Sequence, residues 1–250
     1  MSTDELSALY GHDYYHGDEY GNYIDEKAAL QANFAGRVKE LFHLPGISAQ
    51  SQLYEIGCAY GFFLEMVQNR FQKVSGIDIS EDATAYARDV VGVNAKAGNF
   101  LNTDLPYQPD IICMWDVIEH LAAPEKVIAH AAKAMKPGGY ICITTGDIGS
   151  FVARMRGPKW RIVHPPTHLH YFDQKTLSQL LSQNGLEPVS ITYPPIVRTV
   201  GTILHGVLSM RLQADALYRF LSQFPGQNIS IPINLYDIMF VVAQKGVDHP

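Results

Sequence analysis

A glycine turn set between two short apolar runs constrains this chain most. Leu53–Ile56 ends in Gly57-Cys58-Ala59-Tyr60-Gly61, a helical pattern follows, and a second apolar run ends in Gly76-Ile77-Asp78-Ile79-Ser80. Strand, glycine turn, helix and strand with a terminal acid make a βαβ unit, whose ligand cradle lies at the carboxyl ends of its strands. Glycine at 57 and 61 lets backbone approach a ligand closely, and Asp78, 21 residues after Gly57, is placed to accept hydrogen bonds from ribose hydroxyls. The pattern points to a nucleoside-containing cofactor.

Two common nucleotide cradles do not fit. The dinucleotide fingerprint needs glycine at its first, third and sixth positions, where this chain has Gly57, Ala59 and Phe62. No Gly-Lys-Ser/Thr follows the turn, which excludes a phosphate-binding P-loop.

Glu55-x-Gly57-x-Ala59-x-Gly61 instead resembles the first motif of the class I S-adenosylmethionine-dependent methyltransferases. Ala97-Gly-Asn-Phe100, the run Asp110–Leu121 and Met135–Thr145, with its Pro137-Gly138 turn, are similar to later segments of that family, in the same order. The resemblance covers about Asp13 to Ser190 and is closest to small-molecule enzymes such as ubiquinone-type O-methyltransferases and sugar methyltransferases. It implies an α/β, Rossmann-like, doubly wound sheet of seven strands in the order 3-2-1-4-5-7-6, the last strand antiparallel. It also implies S-adenosyl-L-methionine as cofactor and S-adenosyl-L-homocysteine as product.

The resemblance assigns cofactor contacts to Glu55, Gly57, Cys58, Ala59, Tyr60 and Gly61 in the turn, and to Asp78 and Ile79 after the second strand. It adds Asn99, Phe100 and Trp115. Asn99 is either an adenine reader or a turn residue, and Trp115 either touches a ligand or fills the core. Ala59 stands where the family usually has glycine, so a positive φ there would strain it.

Acceptor residues are sought at the same edge. Tyr14 and Tyr15 belong to a glycine-rich head with five tyrosines in residues 10–23; it either walls the acceptor pocket or is an exposed terminus. After the fifth strand come Arg154, Arg156, Lys159 and Arg161, then His164-Pro-Pro-Thr-His168-Leu-His170-Tyr171-Phe172. Arg154, Arg156, His164 and Tyr171 are candidate acceptor contacts, and the basic loop is read evenly as an acidic-substrate site or a solvated surface. His168 is the first choice for a base or acceptor-orienting residue and His120 the second. No metal is expected, because the histidines lack an acidic partner at helical spacing and a sulfonium methyl is already activated.

Residues 1–50 are expected to form an N-terminal cap with a helix near Ile24–Leu44, stopped by Pro45-Gly46. Residues 51–250 form the core, with a final strand near Leu235–Gln244 and a helical insertion at about 194–232. In that insertion Val200, Ile203, Leu204, Val207 and Leu208 begin a helical repeat, read as a helix on the core, a lid or a homodimer contact. The acidic N-terminus is not a targeting segment, no run reaches the roughly 18 apolar residues of a membrane span, and three dispersed cysteines fit a cytoplasmic enzyme. A net charge of −6 disfavours a nucleic-acid partner and leaves a small-molecule acceptor. A tRNA-modifying methyltransferase and a cofactor-binding module without transferase activity remain as alternatives.

Overall fold

Alternate residues of a strand face opposite sides of a sheet, and the central strands here are apolar on both. The structure, a computed structural model, describes residues 24, 26–205, 208, 214–224, 226 and 229–247. The strands are β1 (Gln52–Ile56), β2 (Lys73–Asp78), β3 (Ala95–Ala97), β4 (Ile111–Trp115), β5 (Tyr140–Gly146), β6 (Leu186–Thr192), β7 (Ile196–Thr199), β8 (Ser230–Ile233) and β9 (Ile238–Lys245). Seven of them form one sheet in the order β3-β2-β1-β4-β5-β9-β6. The first five are parallel, and β9 runs antiparallel between β5 and β6. The expected order holds, with β9 as the seventh strand of the sheet.

Helices cover both faces. They are α1 (Lys27–Leu41), α2 (Phe62–Val67), α3 (Glu81–Tyr86), α4 (Pro124–Ala134), α5 (Phe151–Arg156) and α6 (Gln174–Ser182). In β4, Ile112 and Met114 pack with Val127, Ile128 and Ala131 of α4 and with Leu177 and Leu181 of α6. Ile111, Cys113 and Trp115 point the other way, toward Phe34 and Val38 of α1 and Phe62 and Phe63 of α2. The strand period of two thereby builds two apolar layers from one strand. Starts are written locally: Ser80 accepts from Ala83 N–H to cap α3, Pro124 opens α4, and Asp173 with Thr176 forms a capping box on α6.

The insertion is helical in part and also carries a ribbon. Between β6 and β9 the chain makes an antiparallel ribbon, β7 with β8, and two short helices, α7 (Val200–His205) and α8 (Asp215–Leu221). Ile196 faces Ile233 and Val197 faces Pro232, and the β-branched Ile196–Ile233 pair favours a ribbon. The ribbon docks on α1, where Asn33 accepts from the Val197 N–H (2.6 Å) and donates to its carbonyl (3.3 Å). No helix among the described residues is long and apolar enough to cross a membrane.

Candidate active site

All the parallel strands end at one edge, and there a cavity of about 1000 Å³ opens. It runs from the glycine turn, past the ends of β2 and β4, to the loop after α5, and α1 and β7 form its outer wall.

The glycine turn is tied to the neighbouring strand. Gly57 and Cys58 donate their N–H groups to the Ile77 carbonyl at 2.8 and 3.1 Å. The Ala59 N–H donates to Asp78 Oδ2 (2.8 Å) and the Ser80 N–H to Asp78 Oδ1 (2.9 Å). Each carboxylate oxygen retains a second lone pair, so the bonded Asp78 can still accept from a ligand hydroxyl. Gly57 is required by space as well as by its φ of 76°: a Cβ there would lie 2.4 Å from Val117 Cγ2. Ala59 does adopt positive φ, 43°, the left-handed region in which a side chain costs about 1–2 kcal/mol.

Gly57, Ala59, Asp78, Ile79, Asn99, Phe100 and Trp115 line the cavity. Asn99 is also a turn residue, because its Oδ1 accepts from the Leu101 N–H at 2.9 Å and its amide remains as donor. Trp115 is a core aromatic with an edge on the cavity: its ring meets Phe63 at 5.1 Å, the Arg37 guanidinium lies 5.1 Å from it, and its buried Nε1 has no hydrogen-bond partner among the described residues. Four expected contacts stay outside the lining. Glu55 is buried in β1, where desolvation raises its carboxyl well above the usual range. The Tyr60 ring packs on Phe62 and Tyr86, Cys58 faces Leu64 and Ala87, and Gly61 packs against Val93 and Ala87. The turn therefore presents backbone to the cavity and turns these side chains into the core.

Beyond Trp115 the lining becomes polar. Asp116, with φ 56°, donates its N–H to the Thr144 carbonyl and holds Arg37 Nη2 at 3.3 Å from its Oδ2. The short turn Ile118–His120 follows. Glu119 is 4% exposed; burial and then the charge of Asp116 raise its carboxyl to about 8. Burial, and next the neighbouring His168, lower His120 to about 4. The two imidazoles meet edge to face, with centroids 4.5 Å apart. The His168 loop is pinned to this turn, since Leu169 and His170 donate their N–H groups to the Glu119 carbonyl at 2.9 and 3.0 Å.

The structure brings His120 and His168 together at the cavity, and it separates the other acceptor candidates from them. Arg154 and Tyr171 border a different, smaller cavity beneath α5, and Arg156 is exposed at that helix's last turn. His164 bonds Thr167 Oγ1 through Nδ1 (3.1 Å) behind the lining. Of the basic cluster only Arg161 reaches the main cavity, held by Asp237 at 2.8 Å. The helix-and-turn path of 151–161 scatters residues that are adjacent in sequence. Tyr14 and Tyr15 lie outside the described residues.

Residues that sequence reasoning missed complete the site: Arg37, Asp116, Glu119, Lys126 and Arg198. Arg37 had a signal, since it stands on the buried stripe Phe34, Arg37, Val38, Leu41 of α1. Glu119 also supplies the acid that the histidines lacked. One ligand atom each from Glu119, His120 and His168 all lie within 4.8 Å of one another.

A methyltransferase-domain family profile matches residues 28–191. The ubiquinone biosynthesis O-methyltransferase of Azoarcus sp. (strain BH72) is 26% identical over 166 residues, 60% of this chain and 71% of that protein. In fold, the chain resembles an S-adenosylmethionine-dependent methyltransferase from Archaeoglobus fulgidus, with a TM-score of 0.59 at 17% identity, covering 91% of this chain and 100% of that one. It also resembles the geranyl diphosphate C-methyltransferase of Streptomyces coelicolor A3(2), solved with S-adenosyl-L-homocysteine among its ligands; the TM-score is 0.54 at 14% identity, covering 84% and 76% of the two chains. With the profile spanning well over half of the chain and the sheet in the family's strand order, this protein belongs to the class I S-adenosylmethionine-dependent methyltransferases.

Proposed function

We propose that the protein transfers the methyl group of S-adenosylmethionine to a small acidic metabolite bound between the ends of β4 and β5 and the α1–β7 wall. The carrying observation is one continuous cavity with two chemically different ends. The turn end, with Asp78, Ile79, Asn99 and Phe100, suits the adenosine, and Gly57 and Ala59 suit the methionine part. Away from that turn the lining carries His120, His168, Arg37, Arg161 and Arg198. Arg198 pairs with no carboxylate among the described residues, which favours an anionic acceptor.

The reaction is an in-line displacement: the acceptor's lone pair forms a bond to the methyl carbon while the carbon–sulfur bond breaks onto sulfur, giving the thioether product. Positioning supplies most of the acceleration, up to roughly 7–11 kcal/mol for well-oriented partners. His168 and His120 are assigned as the residues that orient the acceptor. The reading is tested with S-adenosylmethionine carrying a labelled methyl group, incubated with the protein and either the small-molecule or the tRNA fraction of a cell extract. Label in small molecules, abolished in Asp78→Ala, supports it; label only in tRNA refutes it.

A further inference from the structure

We propose that Arg161 is a subsite for a carboxylate group of the acceptor, and that Asp237 is the positioning residue that aims its guanidinium and limits it to singly charged anions. That the carboxylate belongs to a methyl acceptor rests on the reading above; the subsite itself is tested without turnover.

A buried carboxylate is stable only where its oxygens are partnered. Asp237 immediately precedes β9, is 2% exposed, and has both side-chain oxygens bonded. Oδ2 accepts from Trp160 Nε1 at 2.9 Å, and Oδ1 accepts from Arg161 Nη2 at 2.8 Å. An indole nitrogen can only donate, so it claims one oxygen and leaves the other for the arginine. The Asp147 N–H donates to the Asp237 carbonyl at 2.9 Å, which ties this residue's backbone to the end of β5.

The loop that carries Arg161 is fixed as well. Trp160 is buried against Gly146, where a Cβ would lie 3.0 Å from the indole Cη2 and 2.7 Å from Ile162 Cγ2. The Trp160 N–H donates to the Gly157 carbonyl (3.0 Å), and the Val163 N–H donates to the Trp160 carbonyl (2.9 Å). Arg161 is therefore held through its neighbour in sequence and through its own side chain.

Its donors nevertheless stay available. Arg161 lines the cavity, and 34% of its side-chain surface is exposed. Asp237 uses one of its five N–H groups, so four remain, including one whole two-donor edge. Such an edge matches the two oxygens of a carboxylate in a bidentate pair. The other cavity arginines lack one of these properties. Arg37 has a side chain only 10% exposed, set against Phe34 and Trp115 and paired with Asp116. Arg198 is exposed, with no carboxylate among the described residues to aim it.

Charge sets the class of anion. Asp237 balances the charge of Arg161, so the pair binds a monoanion by directed hydrogen bonds and offers a dianion nothing for its second charge. A carboxylate suits it better than a phosphate monoester, which is doubly charged well above pH ~6. Ile162 and Ile238, next in sequence to the two partners, also line the cavity and offer apolar surface for the acceptor's hydrocarbon part.

The test titrates hexanoate, hexanamide and hexyl phosphate calorimetrically at pH 8 into the full chain, with and without S-adenosyl-L-homocysteine. Wild type should bind one equivalent of hexanoate, more tightly than either of the other two. Arg161→Gln, whose amide can still donate to Asp237, should weaken hexanoate by roughly tenfold or more and leave S-adenosyl-L-homocysteine affinity unchanged. Removing one negative charge favours a dianion twice as strongly as a monoanion. In Asp237→Asn the ratio of hexyl phosphate to hexanoate affinity should therefore rise about threefold or more, the worth of a unit charge about 7 Å away even in water. A structural role alone would shift both ligands together and leave that ratio constant. Circular dichroism checks each fold; if Asp237→Asn does not fold, the order of the two anions in wild type decides the charge limit. No saturable hexanoate binding, or equal affinity in wild type and Arg161→Gln, overturns the carboxylate subsite. Tighter hexyl phosphate in wild type, or a constant ratio in Asp237→Asn, overturns the role of Asp237. Wild type that binds hexanoate but no S-adenosyl-L-homocysteine would keep the subsite and sink the methyltransferase reading instead.

Discussion

The Ala59 N–H lies 2.8 Å from Asp78 Oδ2, so the tip of the glycine turn and the end of β2 are held by one buried carboxylate. Asp78 thereby shapes the cradle as well as facing the cavity.

Asp78→Ala should therefore lower both stability and cofactor affinity. It removes the acceptor for two N–H groups, those of Ala59 and Ser80, and hydrogen bonds to a charged group are worth about 1.5–3 kcal/mol each. We expect destabilisation of about 3 kcal/mol or more and at least a roughly tenfold rise in the Kd for S-adenosyl-L-homocysteine, with Asp78→Asn intermediate because one acceptor oxygen survives. Denaturant unfolding and calorimetry read the two effects. Full affinity in Asp78→Ala would remove Asp78 from the cofactor site.

Ala59→Gly should stabilise. The left-handed backbone at Ala59 costs about 1–2 kcal/mol, whereas glycine's extra freedom in the unfolded chain costs about 0.5–1 kcal/mol. The net gain is roughly 0.5–1 kcal/mol, a rise in Tm of about 1–4 °C at this chain length. A fall in Tm would mean that the methyl group's packing outweighs the strain.

Asp173 gives a pH-dependent cap. The backbone N–H of Thr176, and then its hydroxyl, hold the Asp173 carboxyl below its ordinary range. A lowered folded pKa contributes stability that is complete above the unfolded value of about 4 and is lost as pH falls through the folded value. Asp173→Ala should cost about 1 kcal/mol at pH 7, at the lower end of capping effects if exposure screens the charge. The gap between wild type and variant should narrow below about pH 4, while Asp173→Asn should keep most of the cap without the pH dependence. A gap constant from pH 7 to 3 would show that the ionised form is not what caps α6.

These predictions draw on parts of the chain that differ in how much the sequence revealed. The alternation in β4 and the strand–turn–acid arrangement of β1 and β2 were legible because local periodicity and turn chemistry decide them. The ribbon was not: Val200, Ile203 and Leu204 do recur at helical spacing, but Ile196–Thr199 takes strand geometry from Ser230–Ile233, about thirty residues away. Glu119 was hidden for the same reason. It stands beside His120 in sequence, yet its relation to His168 depends on how the 164–170 loop folds back onto the Glu119 carbonyl. Arg154 and Arg161 show the converse, since nearness in sequence placed them together and the turn after α5 parts them.

Asn33 tests whether the ribbon shapes the acceptor end. Its side chain bonds both backbone groups of Val197, and Ile196–Thr199 line the cavity. Asn33→Ala removes two hydrogen bonds worth about 0.5–1.5 kcal/mol each, so local opening of β7 should become roughly 5–150 times more frequent. Hydrogen exchange at the Val197 amide should accelerate accordingly, because that N–H loses its acceptor. The acceptor's KM should rise several-fold, whereas the Kd for S-adenosyl-L-homocysteine, governed by the β1–β2 end, should stay within about twofold. Faster exchange with an unchanged KM would place the acceptor away from the ribbon. Equal losses in both affinities would mean that β7 supports the whole cavity and not its acceptor end alone.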